Sequence, residues 1–127
     1  MFNGIHHLAI ICSNYAVSKD FYIKKLGFTE IREVYREERK SYKLDLALNG
    51  TYLLELFSFP DAPERPSYPE AQGLRHLAFT VDNLVETVTH LQKQGIEVEG
   101  IRTDPITGKR FTFFQDPDQL PIELYEN

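Results

Sequence analysis

The chain has 127 residues, a formal net charge of −5 and a single cysteine. This length predicts one domain, and 42% hydrophobic residues with 13% aromatics supply enough apolar surface for a core. The acidic balance argues against a nucleic-acid partner, because a phosphate backbone is bound through an excess of Lys and Arg. A single cysteine cannot form an internal disulfide, and no apolar run approaches the roughly 20 residues of a membrane helix. We therefore expect a cytoplasmic protein with no membrane contact.

The first half of the chain opens with a predicted strand in GIHHLAIICSN, residues 4–14. Asn14 or Ser13 is placed to cap a helix that runs to about Lys25. Three extended segments are predicted after it, at about 28–35, 42–48 and 51–58.

A proline-rich segment follows at about residues 60–72, with proline at every third position of FPDAPERPSYP. Proline at this spacing favours an extended, stiff chain. We interpret the segment as a linker between two modules or as a lid.

The second half repeats the first. GLRHLAFTVDN, residues 73–83, has Gly, His, Leu, Ala and Asn at the same places as residues 4–14. Asn83 is placed to cap a second helix that ends before Gly95. Extended segments are predicted at about 96–102, 110–115 and 120–125. The pattern β-α-β-β-β therefore occurs twice and predicts an α+β fold, with module 1 at about 1–59 and module 2 at about 73–127 of a single domain, 1–127.

One histidine and one glutamate recur in both copies. Strand alternation places His7 and His76 on the face opposite the more apolar residues, and an alanine two positions later keeps that face open. Glu55 and Glu123 lie within the apolar strands LLELF and PIELY, where an unpaired carboxylate is costly to bury. A strand histidine is often only hydrogen-bonded and a strand glutamate only an edge charge. Their joint recurrence favours a metal site of zinc, nickel, iron or manganese type.

Three other reactive side chains are predicted to play no part. Cys12 is expected to face the helix as an inert, small hydrophobic residue. His6 has no counterpart in the repeat and His90 falls on the second helix, so both are interpreted as surface residues.

The duplicated GxxHLA strand, the helix ending in FYIKKLGF and the segment FFQDPDQLPIELYE resemble the vicinal oxygen chelate superfamily, in particular its glyoxalase I-like branch. The resemblance covers nearly the whole chain. It implies two βαβββ modules that form an open, barrel-like cleft, within one chain or across a homodimer. The family's four ligand positions match His7, Glu55, His76 and Glu123, which implies one divalent ion of zinc, nickel or manganese.

The same resemblance implies a metal-dependent lyase or isomerase. Its substrate would be the hemithioacetal of methylglyoxal and a thiol, converted through a metal-bound enediolate. Glu123 is the first choice for the residue that moves the proton, and Glu55 is the alternative. Lys109 matches a basic position that contacts the carboxylate of the thiol, and Arg110 and Arg36 are candidates for further substrate contacts.

Two positions depart from the glutathione-dependent members. Those members commonly carry Arg four residues after the first ligand and Asn four residues after the first glutamate, where this chain has Ile11 and Phe59. A different thiol, or a small dicarbonyl or hydroxy acid without a thiol, is therefore also open as substrate. Two further functions of the superfamily are alternatives: non-catalytic binding or sequestration of a small molecule, and metal-dependent thiol transfer.

Overall fold

The chain forms two four-stranded mixed sheets, each with one main helical segment. The structure is a computed structural model that describes residues 1–127. The chain divides into two compact units, Met1–Glu64 and Arg65–Asn127. Each unit has the predicted β-α-β-β-β order, which confirms the α+β class and the repeat. The boundary between the units falls inside the segment at about 60–72 that the sequence marks as a linker.

The first unit contains four strands, an α-helix that continues into a π-helical turn, and a short 3-10 turn. These are β1 (Leu8–Cys12), α1 (Tyr15–Asp20), the π-helical turn Phe21–Lys25, β2 (Thr29–Arg36), the 3-10 turn Glu37–Arg39, β3 (Ser41–Leu48) and β4 (Thr51–Ser58). The strand order is β1-β4-β3-β2, with β1 parallel to β4 and the other neighbours antiparallel.

The second unit repeats this arrangement, and its last three strands are shorter than those of the first unit. Its elements are β5 (Leu77–Val81), α2 (Leu84–Lys93), β6 (Arg102–Thr103), β7 (Arg110–Gln115) and β8 (Pro121–Glu126). The strand order is β5-β8-β7-β6, with β5 parallel to β8.

The strand predicted at 96–102 is largely absent, which corrects the sequence prediction. Only Arg102–Thr103 and an isolated bridge between Val98 and Phe114 pair with β7. The hydroxyl of Thr112 donates to the Glu99 carbonyl at 2.8 Å, so a side chain replaces a ladder bond at this edge. This part of the chain follows β7 without forming a regular strand.

The predicted helix caps are present. The side chain of Asn14 accepts a hydrogen bond from the Val17 amide at 3.2 Å, and that of Asn83 accepts one from the Glu86 amide at 3.0 Å. Each bond satisfies one of the amides that a helix leaves unpaired at its start. Gly95, just after α2, has a φ of +81°, a conformation that side-chain-bearing residues rarely adopt.

The core of each unit lies between the sheet and its helix. Leu54 and Leu56 of β4 are about 1% exposed, and α2 buries Leu84, Val88 and Leu91 at the spacing of one helical face. Each such side chain contributes about 1.5–3 kcal/mol by leaving water. The alternate residues of the same strands point to the other face, which carries the predicted histidines and glutamates. None of the helices has the length and apolar character needed to cross a membrane.

Candidate functional site

His7 and Glu55 form a pair in the first unit. His7 directly precedes β1, and Ala9, two positions later, lies across from Glu55 in the parallel register. The His7 Nε2 atom is 3.6 Å from Glu55 Oε1, and the glutamate side chain is only 12% exposed. The alanine leaves room for both side chains on the same face of the sheet.

His76 and Glu123 form the corresponding pair in the second unit. His76 directly precedes β5, and Ala78 lies across from Glu123. The His76 Nε2 atom is 3.0 Å from Glu123 Oε2, and the glutamate side chain is 14% exposed. Each unit therefore brings its predicted histidine and glutamate together at the same position in its sheet.

The donor set of each pair fits a divalent metal ion. An imidazole nitrogen and a carboxylate oxygen are ligands that zinc and its neighbours accept. Two such ligands at about 2.1 Å from one ion lie about 3.0–3.4 Å apart for angles between a right angle and the tetrahedral angle, close to the His76–Glu123 separation of 3.0 Å. No group of three or more His, Cys, Asp or Glu side chains that could hold a metal ion is found.

The second ring nitrogen of each histidine has a different neighbour. His7 Nδ1 is 2.8 Å from His6 Nδ1, so one ring can donate to the other. His76 Nδ1 is 3.1 Å from Arg75 Nη1, and because arginine only donates, the neutral His76 ring carries its proton on Nε2. Metal binding at Nε2 would require that proton to move to Nδ1 and Arg75 to turn away.

Glu55 is held by a polar network that sequence reasoning did not find. The Tyr52 hydroxyl donates to Glu55 at 3.1 Å and to Asp45 at 2.8 Å. Lys43 donates to Asp45 at 2.9 Å and lies 3.3 Å from Glu55. A change of register at Leu46 turns Tyr52 to the face of Glu55, although simple alternation places residues three apart on opposite faces.

The network shifts the pKa values of its members. Burial of the Asp45 carboxyl opposes ionisation, but hydrogen bonds from Lys43 and Tyr52 outweigh it and lower the pKa of Asp45. The hydrogen bond to Asp45 is the largest cause that raises the pKa of Lys43. Burial, followed by hydrogen bonds to Asp45 and Glu55, raises the pKa of the Tyr52 hydroxyl. The network therefore holds Lys43 charged and Tyr52 protonated beside Glu55 at neutral pH.

Glu123 has apolar neighbours at the equivalent positions. Phe113 lies across from Glu123 and Phe111 across from Tyr125, as Asp45 and Lys43 lie across from Glu55 and Phe57. The Phe113 ring packs edge-to-face against His76, with 5.1 Å between the ring centres. The two glutamates share their place in the repeat but differ in surroundings, since one is braced by charges and the other is beside aromatic rings.

A cavity of about 430 Å³ opens beside His76 and Glu123 in the second unit. The aromatic rings of Phe111 and Phe113 form one side, and Arg102 of β6 lines the same cavity. Residues between Arg65 and Arg75 also line the cavity, together with Glu99, Phe114, Gln115 and Pro121. The volume lies within the range of small-molecule sites.

The three basic residues predicted to bind substrate lie outside this cavity. Arg110 donates twice to the Glu126 carboxylate, at 2.6 and 3.1 Å. Arg36 lies over the Phe57 ring at 5.0 Å and donates to Ser41. Lys109 is exposed, in the turn before β7. Their role in substrate binding stays a prediction.

The residues predicted to play no part are arranged as follows. Cys12 is 2% exposed within the core, as expected of a thiol facing the helix. His90 is exposed on α2. His6 is also exposed, but its ring contacts both His7 and Tyr52, at 5.0 and 5.3 Å between ring centres. His6 is therefore a surface residue that borders the first pair.

Comparison with known proteins places this geometry in a family. Residues 4–124 match the profile of the Glyoxalase/Bleomycin resistance protein/Dioxygenase superfamily, and the chain belongs to that superfamily. It is 68% identical to the uncharacterised protein YwkD of Bacillus subtilis (strain 168), over 99% of this chain and 98% of that protein. It is 64% identical to the uncharacterised protein YaeR of Escherichia coli (strain K12), over 96% of this chain and 95% of that protein.

A solved structure shows the same fold. The glyoxalase family protein from Enterococcus faecalis superposes with a TM-score of 0.92 at 54% identity, covering 98% of each chain. The superfamily indicated by the resemblance and the α+β fold predicted from the repeat are therefore confirmed. The superfamily includes lyases, isomerases, transferases and binding proteins.

Proposed function

We propose that the protein is a metal-dependent lyase or isomerase of glyoxalase I type. Its substrate would be the thiol hemithioacetal of an α-oxoaldehyde such as methylglyoxal, or a similar small molecule. The observation that carries the proposal is the recurrence of a close histidine–glutamate pair at the same register in both sheets.

His7, Glu55, His76 and Glu123 are the residues that would hold one divalent ion, zinc, nickel or manganese. The four side chains would come from one chain or from two copies in a homodimer. When bound, the ion supplies a Lewis acid that polarises a substrate oxygen and makes the neighbouring C–H more acidic.

The two glutamates are assigned different tasks because their surroundings differ. Tyr52 and Lys43 restrain the Glu55 carboxylate, which suits a fixed ligand. Glu123 faces Phe113 and pairs with His76, so fewer polar contacts oppose its movement. Its carboxylate would take the proton from one substrate carbon and return it to the adjacent carbon.

The proposal is tested with metal-loaded protein and methylglyoxal adducts of several thiols, with product analysis by NMR. Glu123→Gln is expected to lower turnover by about 10²–10⁴, the usual contribution of a positioned base. Glu97→Gln is the matched control, because Glu97 is exposed in the same unit and should leave turnover unchanged. Full activity of Glu123→Gln would overturn the assignment.

The product also separates the alternatives. Isomerisation supports the proposed activity, whereas covalent addition of the thiol would identify a transferase. Ligand binding that survives removal of the metal, without turnover of any adduct, would identify a sequestering protein.

A further inference from the structure

Arg102 lies over two phenylalanine rings, perpendicular to each other, in the cavity of the second unit. Its guanidinium carbon lies 5.0 Å from the centre of the Phe111 ring and 5.7 Å from that of Phe113. A guanidinium over an aromatic face is attracted by the quadrupole of the ring. Its N–H groups can still donate hydrogen bonds to a ligand. The two rings therefore hold a cation at the cavity that His76 and Glu123 also line.

The partner of Arg102 leaves it available to a ligand. Its ion pair with Glu99 is 3.3 Å long, and both side chains are more than half exposed. Exposed pairs of this kind contribute little to stability, so a ligand anion can displace Glu99 at low cost.

The other arginines of the cavity are more firmly engaged. Arg75 makes a shorter ion pair, 2.6 Å from the Glu70 carboxylate, although its side chain is at least as exposed as that of Arg102, so the two arginines differ in the length of the pair. Arg65 donates to Ser67 at 2.8 Å and to the carbonyl of Leu74 at 3.3 Å, and these bonds fold its own segment. Arg102 is therefore the arginine of this cavity best placed to exchange its partner.

One ring connects Arg102 to the proposed reacting centre. Phe113 contacts both the Arg102 guanidinium, at 5.7 Å from the ring centre, and the His76 ring, at 5.1 Å between ring centres. A short carbon chain lying across Phe113 would place one end at Arg102 and the other beside His76 and Glu123. In the first unit, Lys43 and Asp45 occupy the positions of Phe111 and Phe113 and form an ion pair with each other. The arrangement of an arginine over two rings therefore belongs to the second unit.

We infer that Arg102 binds a carboxylate of the small substrate itself, so that the protein acts on a short acid such as a 2-hydroxy or 2-oxo acid or an aldehyde derived from one. The guanidinium fork would donate two parallel hydrogen bonds to the carboxylate, and Phe111 and Phe113 would contact the carbon chain. This inference rests on the proposed function only for the position of the reacting carbon.

The test is an NMR titration of metal-free, full-length protein with lactate and with lactamide, which has a similar shape but no charge. Wild type is expected to bind lactate more tightly, and Arg102→Gln should weaken lactate binding by about tenfold or more, since a charge-assisted pair is lost. Arg102→Lys should restore part of the loss. Arg39→Gln is the matched control, because Arg39 also lies over a phenylalanine ring, that of Phe59, but in the first unit.

Equal binding of lactate and lactamide, no measurable binding of lactate, or an unchanged preference in Arg102→Gln would overturn the inference. An Arg102 effect confined to reduced glutathione, used as a third probe, would assign the carboxylate to a thiol cosubstrate and also overturn it. The titration involves neither metal nor turnover. Its failure is therefore distinguishable from failure of the proposed metal-dependent activity.

Discussion

Replacing Asp45 by asparagine is expected to destabilise the first unit through the network that holds Glu55. The Asp45 side chain is 2% exposed and accepts hydrogen bonds from Lys43 and Tyr52. Removing one partner of a buried ion pair costs about 3–5 kcal/mol. Lys43 is one-quarter exposed and retains Glu55 as a second partner at 3.3 Å. We therefore expect Asp45→Asn to lower the free energy of unfolding by less than this, about 2 kcal/mol, which is the value of a hydrogen bond to a charged group.

The pH dependence of this loss identifies its cause. The pKa of Asp45 is lower in the folded protein than in the unfolded chain, where it is about 3.9. The carboxylate therefore stabilises the fold above about pH 3.9, and its contribution disappears as the pH falls through the lower folded value. The difference in free energy of unfolding between wild type and Asp45→Asn should be largest near neutral pH. It should shrink as the solution is acidified below about pH 3.9.

Urea unfolding followed by circular dichroism measures the effect, with midpoints compared at equal slopes. Asp20→Asn is the matched control, because Asp20 pairs with Lys24 on the exposed surface of the first helical segment. It should cost less than about 0.5 kcal/mol. Equal losses for the two variants, or a loss for Asp45→Asn that does not change with pH, would refute the reasoning.

Two further predictions concern the scaffold. Asn83→Ala removes the hydrogen bond that Asn83 accepts from the Glu86 amide and should lower the free energy of unfolding in urea by about 1 kcal/mol. Asn83→Ser should retain most of the stability. Equal losses for the two variants would contradict the capping role. Cys12 is buried, so a thiol-reactive dye should label it slowly in the native protein and stoichiometrically in denaturant; rapid native labelling would contradict its burial.

The repeat made most of the fold predictable. Identical residues at the start of each half, two cap signals and three extended segments were enough to order the elements of both modules. The histidine–glutamate pairing depended in addition on the parallel register of β1 and β4, which places His7 and Ala9 beside Glu55 and which alternation alone does not determine.

The strand starts depended on pairing details. β1 begins at Leu8, where its ladder with β4 meets the irregular register near Leu46. β5 begins at Leu77, and Pro121 at the corresponding end of β8 has no amide to donate. His7 and His76 therefore precede their strands, although alternation alone places them inside.

The surroundings of the two pairs were harder to predict. Asp45 lies in the apolar run KLDLAL, a signal as clear as that of Glu55 in LLELF, but its contact with Tyr52 depends on a register shift that alternation does not reveal. Arg102 lies in a two-residue strand within a poorly paired edge, so its position over Phe111 required the tertiary register.

Metal stoichiometry in three proteins tests the central claim most directly. Wild type, His7→Ala and His76→Ala would be loaded with zinc, nickel or manganese, freed of excess ion and analysed by mass spectrometry. If both histidine–glutamate pairs hold the same ion, wild type retains one ion per chain and each variant loses it. Absence of bound metal from wild type, or full retention in either variant, would contradict the account.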